Sequence, residues 1–353
     1  MRCSLLVSIV AFGLIAAGCS SDSSSGTSDS AATTAAAEST TTTTEAPAIT
    51  TTTTTTVSSF VAATDLVYMT IDDTELLMDV HVPAGEGPWP IVVAFHGLDS
   101  DGKNGVDTVT MAEAAAAEGM VVFAPSWIVW RPPTPPVPVP LDTFREWMNT
   151  GNCAVAFAQQ NAAEYGGDPA RTSVYGFSAG AGIALGATVN PSEDPIPGCE
   201  TDALPEPLRG AVLGDGEYWL HSENFDPAFD TDTEAMQAEL ASLIDPAHWP
   251  EDLETTFFLW AAEDGTSPRA IDDPSDGLGW FAQRDPDGTI QSDLTRVDEF
   301  NDGVVTFVDA SRLLQIRLHN VRLASSLAVL PGGHTPLDKM TEIIEYLKAA
   351  TAQ

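Results

Sequence analysis

Thr172-Ser173-Val174-Tyr175-Gly176-Phe177-Ser178-Ala179-Gly180-Ala181-Gly182-Ile183-Ala184 is the stretch on which the reading of this chain turns. Its first four residues have strand character, and from Ala179 onward the small residues suit a slim helix packed close to a sheet. Between them stands Gly176-Phe177-Ser178-Ala179-Gly180, a G-x-S-x-G at a strand-to-helix junction. A serine hydroxyl is a weak nucleophile and has to be exposed and held still to react. A sharp turn at a strand end does both, and glycines two before and two after let strand and helix approach without Cβ overlap. The N–H of Ala179, at the start of the helix, would then face any negative charge that develops beside Ser178.

Upstream and downstream, strands and helices alternate, which implies a mostly parallel sheet covered on both faces. Val67–Ile71 and Leu76–Val82 read as a hairpin turning at Asp72-Asp73-Thr74. Ile91–Phe95 and Met120–Ala124 are continuous apolar runs, as buried parallel strands are. A helix is predicted over Val106–Glu118, capped by Gly119, and another from about Asn152 to Tyr165. Later strands are expected at Gly210–Leu213, Thr256–Trp260 and Leu327–Leu330, and a closing amphipathic helix at Met340–Ala350.

With these elements placed, the block from Tyr165-Gly166-Gly167-Asp168-Pro169 through Gly180 resembles the one that leads into the nucleophile of α/β-hydrolase carboxylesterases. His96-Gly97, directly after the strand Ile91–Phe95, resembles their oxyanion loop. The likeness runs from about Leu66 to the end. Phe177 departs from the acidic residue that many Ser-Ala-Gly esterases carry before the serine, which moves the chain toward dienelactone-hydrolase-like and feruloyl-esterase-like relatives. The resemblance implies an α/β-hydrolase fold over residues 59–353, an acyl-enzyme mechanism on small-molecule or polymer esters, and no cofactor.

Ser178 then needs a base, and the base an acid to orient it. His334 is the candidate base, in Pro331-Gly332-Gly333-His334-Thr335-Pro336, after an apolar strand and before the last helix. His81 lies within a strand, His96 belongs to the oxyanion loop, and His221, His248 and His319 lack a strand-end placement. For the acid, Asp264 is the first choice, in the turn after Thr256–Trp260; Glu263 is its near neighbour, and Asp215, after Gly210–Leu213, is the alternative. The order Ser178, Asp264, His334 agrees with the order this fold uses. By analogy, the backbone N–H groups of Leu98 and Ala179 form the oxyanion hole. No histidine spacing suggests a metal site.

The remaining readings concern surroundings. The chain has 14 Lys and Arg against 51 Asp and Glu, a formal net charge of −37. A surface this acidic repels phosphate backbones, so nucleic acid is excluded as a partner. Residues 1–19 read as a signal segment ending Ala16-Ala17-Gly18-Cys19, similar to a bacterial lipobox in which Cys19 is acylated; ordinary secretion is the rival reading. Residues 20–58, mostly Ser, Thr and Ala, read as a disordered tether. The expected location is therefore extracytoplasmic, with membrane attachment through the N-terminal lipid only. Cys153 and Cys199, in an exported domain, favour a disulfide.

Two loops are expected to build an apolar, aromatic rim over Ser178: Arg131–Pro140, preceded by Trp127 and Trp130, and the long stretch from Thr266 to about Asp309. A serine peptidase of the same fold and a non-catalytic surface protein on this scaffold stand as alternatives to the esterase.

Overall fold

A computed structural model describes residues 59–98, 100–128, 140–216, 218, 243, 246–263, 266–270 and 304–352. The signal segment with Cys3 and Cys19, the tether, the proline-rich loop with Trp130, and Asp264 all lie outside these residues.

The described residues begin with a hairpin of β1 (Ser59–Ile71) and β2 (Thr74–Pro83). Asp72 and Asp73 turn it with φ of 46° and 64°. Two consecutive left-handed residues match the twist of the flanking strands, and aspartate tolerates that region better than most side chains. Then follow β3 (Trp89–Phe95), α1 (Val106–Ala117), β4 (Val121–Pro125) and α2 (Leu141–Asn161). Next come β5 (Gly167–Phe177), α3 (Ala179–Val189), β6 (Gly210–Gly214) and β7 (Thr256–Ala262). Short β8 (Thr266–Ala270) and β9 (Val304–Thr306) pair antiparallel. The chain closes with α4 (Phe307–Asn320), β10 (Ser325–Leu330) and α5 (Met340–Thr351).

Among the described residues eight strands form one sheet in the order β1-β2-β4-β3-β5-β6-β7-β10. Within it β1 against β2 and β2 against β4 are antiparallel; the other pairs are parallel. Side chains alternate across each strand, so every central strand feeds two cores. Ile91, Val93, Phe95, Val174 and Leu213 pack with α2, α3 and α4 on one face. Val92, Ala94, Tyr175, Val212 and Trp260 pack with α1 and α5 on the other. That two-sided burial is why these strands read as unbroken apolar runs.

The largest departure from the expected elements is α2, which begins at Leu141, eleven residues before Asn152. It runs through Gly151, a residue that lowers helix propensity by about 1 kcal/mol relative to alanine. Packing reverses the preference: a Cβ on Gly151 would stand 2.7 Å from Ile183 Cγ2 of α3, so glycine is what lets the two helices meet. The expected Tyr165 end of this helix is a separate 3₁₀ turn, Ala162–Tyr165.

Cys153 of α2 and Cys199 are joined by a disulfide with Cα atoms 5.7 Å apart and 46 residues apart in sequence. Residue 199 also bridges Met69 of β1, so the bond ties α2, β1 and the segment after α3 together, and the enclosed loop contains Ser178. Thiol titration of an unfolded, unreduced chain that starts at residue 59 is expected to find no free thiol; two per chain would rule the bond out. The chain-entropy account puts the stabilisation at up to about 4 kcal/mol for a loop of this length.

Candidate active site

Ser178 sits between β5 and α3 with φ 55° and ψ −126°, a backbone state costly for a residue with a side chain. The surrounding contacts impose it. The Ser178 N–H donates to Gly214 O at 2.9 Å, and its carbonyl accepts from the Ala181 N–H at 3.0 Å. A Cβ on Gly176 would overlap the Gly180 carbonyl, and one on Gly180 would overlap the carbonyls of Phe95 and His96. Both glycines of the motif are thus required by close approach of backbone to backbone.

His334 lies in the loop after β10. Its Nε2 is 3.1 Å from Ser178 Oγ and its Nδ1 is 3.0 Å from Asp215 Oδ2. Asp215 follows β6 directly, has φ 42° and is fully buried. Its other oxygen, Oδ1, accepts the Ala262 N–H at 2.5 Å, and its own N–H donates to Trp260 O at 2.9 Å. The carboxylate is therefore held by the end of β7 and aimed at the imidazole, which keeps 34% of its side-chain surface exposed. The ends of β5 and β6 and the loop after β10 thus bring Ser178, Asp215 and His334 into one hydrogen-bonded line.

Asp264, the first choice of acid, lies outside the described residues. Asp215, the alternative, is the carboxylate beside His334 Nδ1, while Nε2 faces Ser178. Glu263 is exposed and is engaged through its backbone, with its N–H on Leu330 O at 2.7 Å.

The loop after β3 forms the opposite wall. His96 is buried, its Nδ1 is 2.8 Å from Gly97 O, and its ring stacks on Trp127 at 5.5 Å. Trp127, expected to lead into an apolar rim, is instead fully buried beneath this turn and donates Nε1–H to His96 O at 2.9 Å. Lys103, also buried, anchors the wall from behind. Its Nζ is 2.8 Å from both Asp65 and Asp79 of the hairpin, and its backbone N–H donates to Ser126 Oγ at 3.1 Å.

Between the walls is a cleft of about 410 Å³ with Ser178 and His334 in its lining. Leu98, Val106, Phe177 and Leu337 supply apolar lining, and Asp101 and Asp107 supply carboxylates. Asp107 Oδ1 accepts from Ser100 Oγ at 3.1 Å. The wall from Ser100 to Asp107 was not foreseen from sequence; its signal was the Asp-Ser-Asp-Gly-Lys-Asn-Gly run between β3 and α1. Of the second expected rim loop only the stem, β8 with β9, is described. Among the described residues no group of three or more His, Cys, Asp or Glu is placed to hold a metal ion.

Solved structures with this architecture include a truncated carbohydrate esterase from gut microbiota. It aligns over 84% of this chain and 98% of its own, at 12% identity and a TM-score of 0.51. A butyrate-bound thermophilic esterase from the planctomycete Thermogutta terrifontis aligns over 83% of this chain and 92% of its own, at 17% identity and a TM-score of 0.52. The fold is that of the α/β-hydrolases. No protein-family model and no curated protein sequence matches the chain. Likeness at these identities is a likeness of fold, and the chemistry has to be argued from the site.

Proposed function

We propose that this α/β-hydrolase-fold chain is a serine esterase that works through an acyl-enzyme on Ser178. The observation that carries the reading is the continuous line Ser178 Oγ, His334 Nε2, His334 Nδ1, Asp215 Oδ2, opening into a cleft. Ser178 Oγ attacks the ester carbonyl carbon while His334 Nε2 takes its proton. The imidazolium is held by Asp215. Charge on the carbonyl oxygen is met by the N–H groups of Ala179, at the start of α3, and Leu98, on the facing wall. Collapse of the tetrahedral intermediate breaks the bond to the alcohol, which leaves with the proton from Nε2. Water, deprotonated by the same nitrogen, then attacks the acyl carbon and releases the acid and free Ser178. The names of the structural neighbours, a carbohydrate esterase and a butyrate-bound esterase, point the same way.

The test is a fluorophosphonate probe with peptide mapping, followed by a matched ester and anilide. The expected result is an adduct on Ser178 and turnover of the ester far above the anilide. No adduct would favour a non-catalytic role, and comparable amide turnover would favour a peptidase. Acylation at Cys19 completes the proposal, attaching the chain to the membrane outside the cytoplasm.

The lining of the cleft sets a substrate preference. Val106 and Leu337 are 70% and 43% exposed at its lip, a surface for an acyl chain or aryl group. No Lys or Arg is among its described lining residues, whereas Asp101 and Asp107 are. Two like charges about 4 Å apart in water repel by about 1 kcal/mol, so two carboxylates disfavour an anionic ester on the order of tenfold or more. The expected result is that p-nitrophenyl butyrate exceeds p-nitrophenyl hemisuccinate in kcat/KM by at least that factor at low salt. The gap should narrow as sodium chloride screens the wall. Equal kcat/KM at low salt would remove this assignment.

A further inference from the structure

Lysine is scarce in this chain. There are three, at 103, 339 and 348, against 51 acids. Lys339 is nonetheless only 2% exposed. An ammonium taken from water has to have its charge and its three protons satisfied. Lys339 Nζ donates to Gly333 O at 3.0 Å, to Thr335 O at 3.1 Å and to Asp338 Oδ1 at 2.6 Å. The two carbonyls belong to the residues on either side of His334. The ammonium therefore clamps the backbone that carries the imidazole. The loop needs a clamp: Gly332 has φ 98°, and among the described residues no heavy atom beyond its chain neighbours lies within 4 Å of where a Gly333 Cβ would be.

The ring itself is gripped by its faces. Phe307, the first residue of α4, stacks on His334 with centroids 4.3 Å apart and planes 8° apart. Phe177 meets the ring at 4.7 Å and 30°, and is itself stacked on Trp260 at 5.8 Å and 11°. Lys339 Nζ stands 5.8 Å from the Trp260 ring. Stacked phenyl faces resist rotation of the imidazole about its side-chain bonds, the motion that would swing Nε2 away from Ser178. They also present π-electron density to the ring as it becomes a cation on taking the serine proton.

We infer that Lys339, through the backbone around His334, and Phe307, through the face of the imidazole, are positioning residues for the proton transfer between Ser178 and His334. The inference rests on the serine esterase reading. Neither side chain lines the described cleft, so neither is expected to affect substrate affinity.

The test uses the full chain with Lys339→Met and Phe307→Leu, each confirmed as folded by its melting transition. Loss of sub-ångström placement costs roughly tenfold to a hundredfold in turnover. The expected result is that fall in kcat on p-nitrophenyl butyrate with KM unchanged within about twofold. The second-order rate of fluorophosphonate inactivation should fall by a similar factor. Phe307→Tyr, which keeps the aromatic face, is expected to restore kcat. If Lys339→Met does not fold, Asp338→Asn weakens the same clamp at a half-exposed position, and its kcat is expected to fall with KM held. Folded Phe307→Leu with parental kcat, or folded Lys339→Met (or Asp338→Asn in its place) with parental kcat or a changed KM alone, overturns the inference. A parent chain that the probe fails to label at Ser178 overturns the esterase reading instead, so the two failures are told apart.

Discussion

Ser178→Ala is expected to lower ester turnover by on the order of 10⁴-fold or more, and His334→Ala by a similar factor, because members of such a relay act as a unit. The geometry supports so large an effect. Removing Oγ deletes the atom that bonds the acyl group, and removing the imidazole leaves the hydroxyl with no other base described within reach. The double variant is expected to be no worse than either single one, since each already abolishes the shared step. Both are expected to stay folded. The Ser178 turn is held by backbone bonds to Gly214 and Ala181, which alanine keeps, and His334 sits in a surface loop. Steady-state rates on p-nitrophenyl butyrate, with the melting transition as a control, decide the point. A folded Ser178→Ala within a hundredfold of the parent would refute acyl-enzyme chemistry at this residue.

The second large effect separates the two candidate acids. Asp215→Asn is expected to lower kcat by roughly 10²- to 10⁴-fold. The asparagine oxygen replaces Oδ1 as acceptor for the Ala262 N–H, which leaves the amide NH₂ facing His334 Nδ1. That nitrogen then has to accept, the ring proton moves to Nε2, and the base toward Ser178 is lost. Asp215→Ala would also strand the buried Ala262 N–H at a cost of about 1–3 kcal/mol, so asparagine is the cleaner replacement. Asp264→Asn is expected to stay within a few-fold of the parent, because the structure leaves no imidazole nitrogen for it. The opposite pattern, with Asp264→Asn dead and Asp215→Asn active, would assign the acid to Asp264.

The choice between these two carboxylates marks where sequence reasoning ends. Gly176-Phe177-Ser178-Ala179-Gly180 was legible because a strand, a serine flanked by glycines and a slim helix are all local, and their spacing follows from steric rules within a few residues. His334 was legible for a similar reason, since two glycines before a histidine at a strand end leave the imidazole free to fold back. The acid was not. Asp215 and Asp264 each follow an apolar strand, and nothing local distinguishes them.

The apolar runs, the Asp72-Asp73 turn and the glycine spacing around Ser178 were enough for a mostly parallel sheet clad on both faces, because two-sided burial and left-handed turns leave marks in residue type. The order of strands leaves no such mark. Placing β6 between β5 and β7 hydrogen-bonds Gly214 to Ser178 and puts Asp215 one strand from the nucleophile, with the end of β7 to hold its second oxygen. The same long-range packing carried α2 through Gly151 against its helix propensity and buried Trp127 under the His96 turn. It also brought Lys339 and Phe307, far apart in sequence, onto one imidazole loop. Contacts between residues distant in the chain are decided by the whole sheet at once, so only the tertiary structure could bring Ser178, His334 and Asp215 into one line and set Lys339 and Phe307 beside it.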